Sequence, residues 1–227
     1  MKKLLAAVLS ALLVIVMSVV LVACGDSGTV DEGNNNSTNN EQNNSTNNDD
    51  KTETPLDKTI SDASKVVSLE GHKLYLVNIG QSTVYDTVEG ILKESLHLVE
   101  GTDYIGSPQL TAADVSEGDV VILATAASSK GMGSAGTDGA KELQRAKDFA
   151  AKQGIKIIVM QTNGASGRGD SSDPYFEALC PHAHLTLAVS SANSDKKFSN
   201  TWCPAGTLYL YGRASQMADS LKFVLGK

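Results

Sequence analysis

The chemistry this 227-residue chain can offer is concentrated in a few short stretches. The richest begins at Ser128-Ser129-Lys130 and runs directly into Gly131-Met132-Gly133-Ser134-Ala135-Gly136, a GxGxxG pattern. Glycines between a strand and a helix let backbone N–H groups approach a phosphate or other anion. Lys130 can neutralise an anion, or serve as the base for Ser129 if its pKa is depressed. Neutralisation is the favoured role, because nothing in the sequence desolvates this lysine. An ordinary Gly-rich loop around a solvated lysine accounts for the same residues. A dinucleotide is not expected. The pattern starts seven residues after Ala124, where that fingerprint requires a tight turn, and Gln161 and Thr162 stand where a ribose-binding acid would end the next strand.

A second stretch, Thr162–Asp173 (TNGASGRGDSSD), sets Asn163, Gly164 and Arg168 among small residues and ends on Asp173, a helix-capping type. Arg168 can fork onto a carboxylate or phosphate, or pair with Asp170 or Asp173 and stiffen the loop. The tripeptide Arg168-Gly169-Asp170 is too short to imply adhesion. Two further polar loops are Gly80-Gln81-Ser82-Thr83 and Ser190–Lys197.

Cys180 and Cys203 form a possible disulfide. A zinc site from Cys180, His182, His184 and Cys203 is the alternative, at a spacing that matches no familiar pattern, and two free thiols are the third reading. No metal or cofactor is expected.

These residues are placed by a regular alternation. Leu74–Ile79, Val120–Thr125, Ile155–Met160, Leu185–Val189 and Thr207–Tyr211 are short apolar runs that predict strands. Helical spacing follows at Val84–Leu98, Asp138–Gln153, Pro174–Leu179 and Ala214–Leu225, and Gly154 stops the second of these. The region from Leu96 to Val115 holds a weaker strand, at Leu96–Val99 or near Tyr104, and a short helical turn.

Apolar strands each followed by a helix imply parallel strands buried on both faces. The expected fold class is α/β, a single Rossmann-like or flavodoxin-like doubly wound, mostly parallel sheet of about five strands. In such sheets ligands sit beyond the carboxyl ends of the strands. The crevice candidates are therefore Gly80, Gln81, Ser82, Ser128, Ser129, Lys130, Gly131, Gly133, Asn163, Gly164, Arg168 and Asp173. His72, His97, His182 and His184 all fall outside those loops, which argues against Ser-His-Asp or Cys-His catalysis.

The amino-terminal third has a different character. Lys2 and Lys3 precede an uncharged run, Leu4–Ala23. A secretory signal fits, as does a membrane-spanning anchor, since 20 apolar residues can cross a bilayer. The ending Leu21-Val22-Ala23-Cys24-Gly25 resembles the bacterial lipobox. That resemblance implies residues 1–23 as a signal peptide, with Cys24 lipidated and the chain held on the outer side of the cytoplasmic membrane. Residues 24–65 read as a disordered tether, because nine of the fifteen residues from Asn34 to Asn48 are asparagine. Nine acids against three lysines between Asp26 and Lys65 give most of the chain's net charge of −7. The folded domain is placed at 66–227. Acidity and an aromatic content of 5% argue against nucleic acid as a partner.

The strings Ser128–Asp138, Asn163-Gly164…Arg168-Gly169…Ser172-Asp173 and Gly80-Gln81-Ser82, with Glu142 and Arg145 between them, resemble a family of bacterial exported proteins, domain of unknown function 6305. That resemblance extends from about Lys73 to the end. Family members often carry His where Gln161 stands and Arg where Gly167 stands, so a shared anion site would lose half its cationic character here. The family implies an exported Rossmann-like domain and no established activity. The leading expectation is a lipid-anchored, non-enzymatic module that binds a small polar or anionic ligand and serves a membrane transporter or sensor. A hydrolase or transferase using Ser129 with Lys130, or Asp138, is the alternative. A structural or protein-interaction domain of the cell envelope is the third.

Overall fold

Runs of β-branched and apolar residues with no polar alternation can be stable only as strands covered on both sides. Leu74–Ile79 (β1), Val120–Thr125 (β3) and Lys156–Gln161 (β4) behave this way, every residue being buried except Lys156 at the start of β4. The computed structural model describes residues 56–227. With Ile105–Gly106 (β2), Leu185–Val189 (β5) and Leu208–Tyr211 (β6), these strands form one six-stranded sheet in the order β2-β1-β3-β4-β5-β6. All pairs are parallel, with Leu74 opposite Val120 and Val120 opposite Lys156. The fold is α/β, Rossmann/flavodoxin-like.

Side chains of successive strand residues point to opposite faces, so the sheet divides the core in two. Leu74, Leu76, Val120, Ile122 and Ile158 face the helix Val84–Gly90 (α1), its π-turn continuation Ile91–Ser95, and the last helix, Met217–Val224 (α5). Tyr75, Val77, Ile79, Val121, Leu123 and Val159 face the helices Gly139–Ala151 (α3) and Asp173–Leu179 (α4) through Ala146, Phe149, Phe176 and Leu179.

The sheet has six strands: the five apolar runs and the weaker strand expected near Tyr104, which is the two-residue β2 paired beside β1. Two expectations are corrected. The stretch Ser128–Gly136 is not an open Gly-rich loop: Ser129–Ser134 is a short helix (α2), capped by the Ser128 hydroxyl accepting from the Gly131 N–H at 3.0 Å. The folded part also begins earlier than Val66. Leu56 bridges in parallel to Leu210, the Asp57 N–H donates to the Leu210 carbonyl at 2.8 Å, and the Asp57 carboxylate accepts from the Gly212 N–H at 2.6 Å. Ile60 is buried, and its N–H donates to Ser220 Oγ at 3.0 Å. A few apolar residues at the end of a polar stretch thus cover the β6 edge and α5. Cys24, the lipobox run and the Asn-rich stretch lie outside the described residues.

Candidate functional site

The sheet order reverses direction at β1, with β2 on one side and β3 on the other, so the fold's usual ligand crevice opens between the loops after β1 and β3. Here the chain fills that crevice with itself. Gly80 (φ +85°) and Gln81 (φ 55°) turn the backbone through two consecutive left-handed residues. The Gly80 carbonyl accepts from the Ser128 N–H at 2.8 Å, and the Ala126 N–H donates to Ile79. A Cβ on Gly80 would lie 2.3 Å from the Ala126 carbonyl oxygen and 2.7 Å from the Tyr175 ring. One on Gly131 would lie 1.8 Å from the Gln81 carbonyl oxygen. Both glycines are therefore needed for contact between two pieces of this chain. Ser82 is buried in reciprocal hydrogen bonds with the Asn78 amide, and Ser172 Oγ accepts from the Ala127 N–H at 2.9 Å.

The acid beneath this turn is Glu142 of α3, 1% exposed. Its carboxylate accepts the Gly80 N–H at 2.9 Å and two contacts from Arg145 Nη1 at 2.8 Å each. Arg145 Nη2 donates to the carbonyls of Pro108 and Leu110, both at 3.0 Å. One buried ion pair thus ties α3, the β1 turn and the segment after β2 together. Spacing in the helix offered only an ordinary i,i+3 pair; its burial depends on which surface that face meets.

Arg168 is bound on every side. Its Nε and Nη2 fork onto Asp173 at 2.7 and 3.2 Å, Nη2 also reaches Asp195 at 2.9 Å, and Nη1 donates to the Ala192 carbonyl. The guanidinium lies 4.5 Å from the Trp202 ring centroid and 5.0 Å from that of Phe198. Of the two internal partners named from sequence, it takes Asp173 and not Asp170, and its donors are committed to the protein. Burial would raise the Asp173 carboxyl, but Arg168, the Gly169 N–H and Lys197 outweigh it and hold the group below the ordinary carboxylate range. Asp195, Lys197 and Trp202 were not singled out as partners of Arg168, because they come from the β5–β6 connection.

The other candidates scatter. Ser129, Lys130 and Gly133 lie exposed on α2. Gly164 and Gln161 exchange hydrogen bonds, Gln161 Nε2 donating at 2.7 Å, and Asn163 precedes the 3-10 turn Gly164–Gly167. Gln161 thus makes a local turn contact. Beside α2 lies a depression of about 220 Å³, lined by Met132, Gly139, Leu143, Asp170, Ser171, Pro174 and Tyr175. The Tyr175 hydroxyl lies 3.7 Å from the Met132 sulfur. Burial, then the nearby Glu142 and Asp138 charges, raises the Tyr175 phenol, so it stays protonated. This depression draws on three helices and a loop, a combination that periodicity does not reveal.

All four histidines stand away from these loops. His72 lies against Gly118, before β3, and His184 Nε2 meets the Lys65 carbonyl at 3.0 Å. Among the described residues, no group of three or more His, Cys, Asp or Glu side chains is placed to hold a metal, so the alternative of a zinc site at Cys180, His182, His184 and Cys203 is not assembled. Both cysteines are free thiols.

Residues 72–210 match the model of a family described as Domain of unknown function (DUF6305). No curated protein and no solved structure matches the chain.

Proposed function

The chain belongs to the family of the domain of unknown function 6305, and from that premise we propose a lipid-anchored extracytoplasmic module that holds a small ligand without turning it over. The observation that carries the binding part is the depression between α2, α3 and the start of α4. Met132, Leu143, Pro174 and the Tyr175 ring give it apolar walls, and Asp170 and Ser171 give it a polar rim, the composition of a small-molecule site. Its 220 Å³ suits a ligand of only a few heavy atoms' breadth.

The expectation of an anion is revised in this reading. Arg168 is committed to Asp173, Asp195 and Trp202, and the charge on the rim is that of Asp170. A ligand with a compact apolar body and a cationic or N–H donor group fits those walls better. Absence of turnover is supported by the histidines' positions, and by Glu142 and Asp173 being tied to arginines rather than turned toward Ser129. The anchor rests on Lys2-Lys3, Leu4–Ala23 and the lipobox-like ending at Cys24. A membrane transporter or sensor is the partner this arrangement would serve.

Thermal unfolding against a panel of small amines, amino acids, phosphorylated metabolites and carboxylates tests the binding. A ligand at a hundred times its Kd adds about 2.7 kcal/mol. We expect stabilisation by amines that Asp170→Asn and Leu143→Trp remove. Stabilisation by anions alone, lost in Lys130→Ala, would overturn the ligand class, and no stabilisation by any compound would overturn the module itself. Labelled palmitate entering the parent but not Cys24→Ser would support the anchor; equal labelling of both would sink it.

A further inference from the structure

Cys180 and Cys203 are far apart in sequence and adjacent in space. Cys180 follows α4 and is fully buried, and Cys203 follows the π turn Phe198–Trp202 and is partly exposed. The turn Cys180–His182 packs against Phe198–Trp202, and both cysteines belong to the same apolar cluster. Each thiol shifts the ionisation of the other, and the Thr186 hydroxyl of β5 acts on both, as that packing implies.

That hydroxyl is fully buried and makes no hydrogen bond of ordinary geometry among the described residues. A buried donor with nothing to donate to is costly, and such groups are few in folded proteins. A thiolate beside it would satisfy it. The surroundings split the pair: burial drives the Cys180 thiol well up, while the neighbouring Cys180 thiol and Thr186 bring Cys203 down. The accessible thiol is the one favoured to ionise.

We propose that Cys203 and Cys180 form a thiol–disulfide exchange site, in which Cys203 attacks a small-molecule disulfide and Cys180 resolves the mixed product. The Cys203 thiolate attacks one sulfur of the external disulfide, breaking its S–S bond and releasing one thiolate, which takes up a proton. Cys180 then loses its proton and attacks Cys203 Sγ. The protein S–S bond forms, the mixed S–S bond breaks and a second small thiol leaves. The protein loses two protons and two electrons, and the external disulfide is reduced to two thiols.

Closing this bond staples the end of α4 to the turn whose Phe198 and Trp202 rings carry the Arg168 guanidinium. Oxidation therefore stiffens the same connection that holds Asp195 and Lys197 against Arg168 and Asp173. This inference does not depend on the proposed ligand site.

The test uses the full chain carrying Cys24→Ser, so that the pair supplies the only thiols. It is equilibrated with oxidised and reduced glutathione at graded ratios, then alkylated and weighed intact. We expect both thiols to disappear together with the loss of two hydrogens in mass. A change in the fluorescence of Trp202, the chain's one tryptophan, should accompany it. The unfolding midpoint should rise on the order of 10 °C, as expected for closing a loop of this length. Cys180→Ser should trap one glutathione on Cys203. Cys203→Ser should leave Cys180 unreactive until unfolding, and Thr186→Val should slow native alkylation of Cys203 several-fold at neutral pH. Two thiols that stay alkylatable in the native chain at every ratio, or oxidation only to intermolecular dimers, would overturn the site without bearing on the ligand-binding reading.

Discussion

Two glycines of one motif do opposite work. Gly131 and Gly133 both lie in α2, but a Cβ at 131 would run into the Gln81 carbonyl, whereas one at 133 meets nothing within 4 Å. Gly131→Ala should therefore cost about 1–3 kcal/mol through forced displacement of the β1 turn. Gly133→Ala should add about 0.5–1 kcal/mol by restricting the unfolded chain and favouring helix. Urea unfolding of the pair of variants separates a packing glycine from an incidental one. Arg168 gives a second prediction at this scale. Arg168→Ala leaves Asp173 buried with only Lys197 and the Gly169 N–H, which should cost about 3–5 kcal/mol. Because Asp173 titrates below its unfolded value, its stabilisation is complete above pH about 3.9 and is lost as pH falls through the folded value. The parent should weaken steeply below about pH 4, and Arg168→Ala should weaken less over the same window. A parallel loss in both proteins would remove Asp173 from the explanation.

Among elements, α3 is the keystone of the carboxyl edge. Asp138 caps it by accepting the Lys141 N–H at 2.9 Å, Ala146 and Phe149 fill the core, and Glu142 reaches under the β1 turn. Glu142→Ala removes the acceptor for Gly80 and strands Arg145, so it should cost about 3–5 kcal/mol by denaturant unfolding, while Lys141→Ala, an exposed partner of Asp138, should stay within about 0.5 kcal/mol. The helix itself was legible from Leu143, Ala146, Phe149 and Gly154. Its contact with the β1 turn was not, since i,i+3 spacing says which residues share a face and not what that face covers. The same limit explains why a glycine pattern that reads as an open phosphate loop is a short helix pressed on a carbonyl.

For the whole molecule, the boundary of the folded unit is the quantity most open to direct test. Ile60 is buried, Val67 donates to the Val224 carbonyl at 2.8 Å, and Leu56-Asp57 bonds to β6. A chain starting at Leu56 should unfold at the same midpoint as one carrying the preceding residues. Starting at Val66 should cost about 2–4 kcal/mol, mainly the exposure of Ile60 and of the uncovered β6 edge. Equal midpoints for both truncations would return residues 56–65 to the tether. The sheet's two faces otherwise match what the strands' uniform apolarity implies, because a strand buried on both sides cannot alternate.

The order of elements, their parallel pairing, the absence of histidine from the carboxyl-edge loops and the family resemblance were all set by local pattern. Hydrophobic period and turn residues act over a few positions, and a βαβ chain has few ways to close. Only tertiary structure decided that the switch-point crevice is filled, that Arg168 serves Asp173 and Asp195 rather than standing open to a ligand, and that Cys180 meets Cys203. Each of these joins residues from separate crossovers. Their distance is governed by how helices pack across the sheet, and no spacing along the chain encodes that.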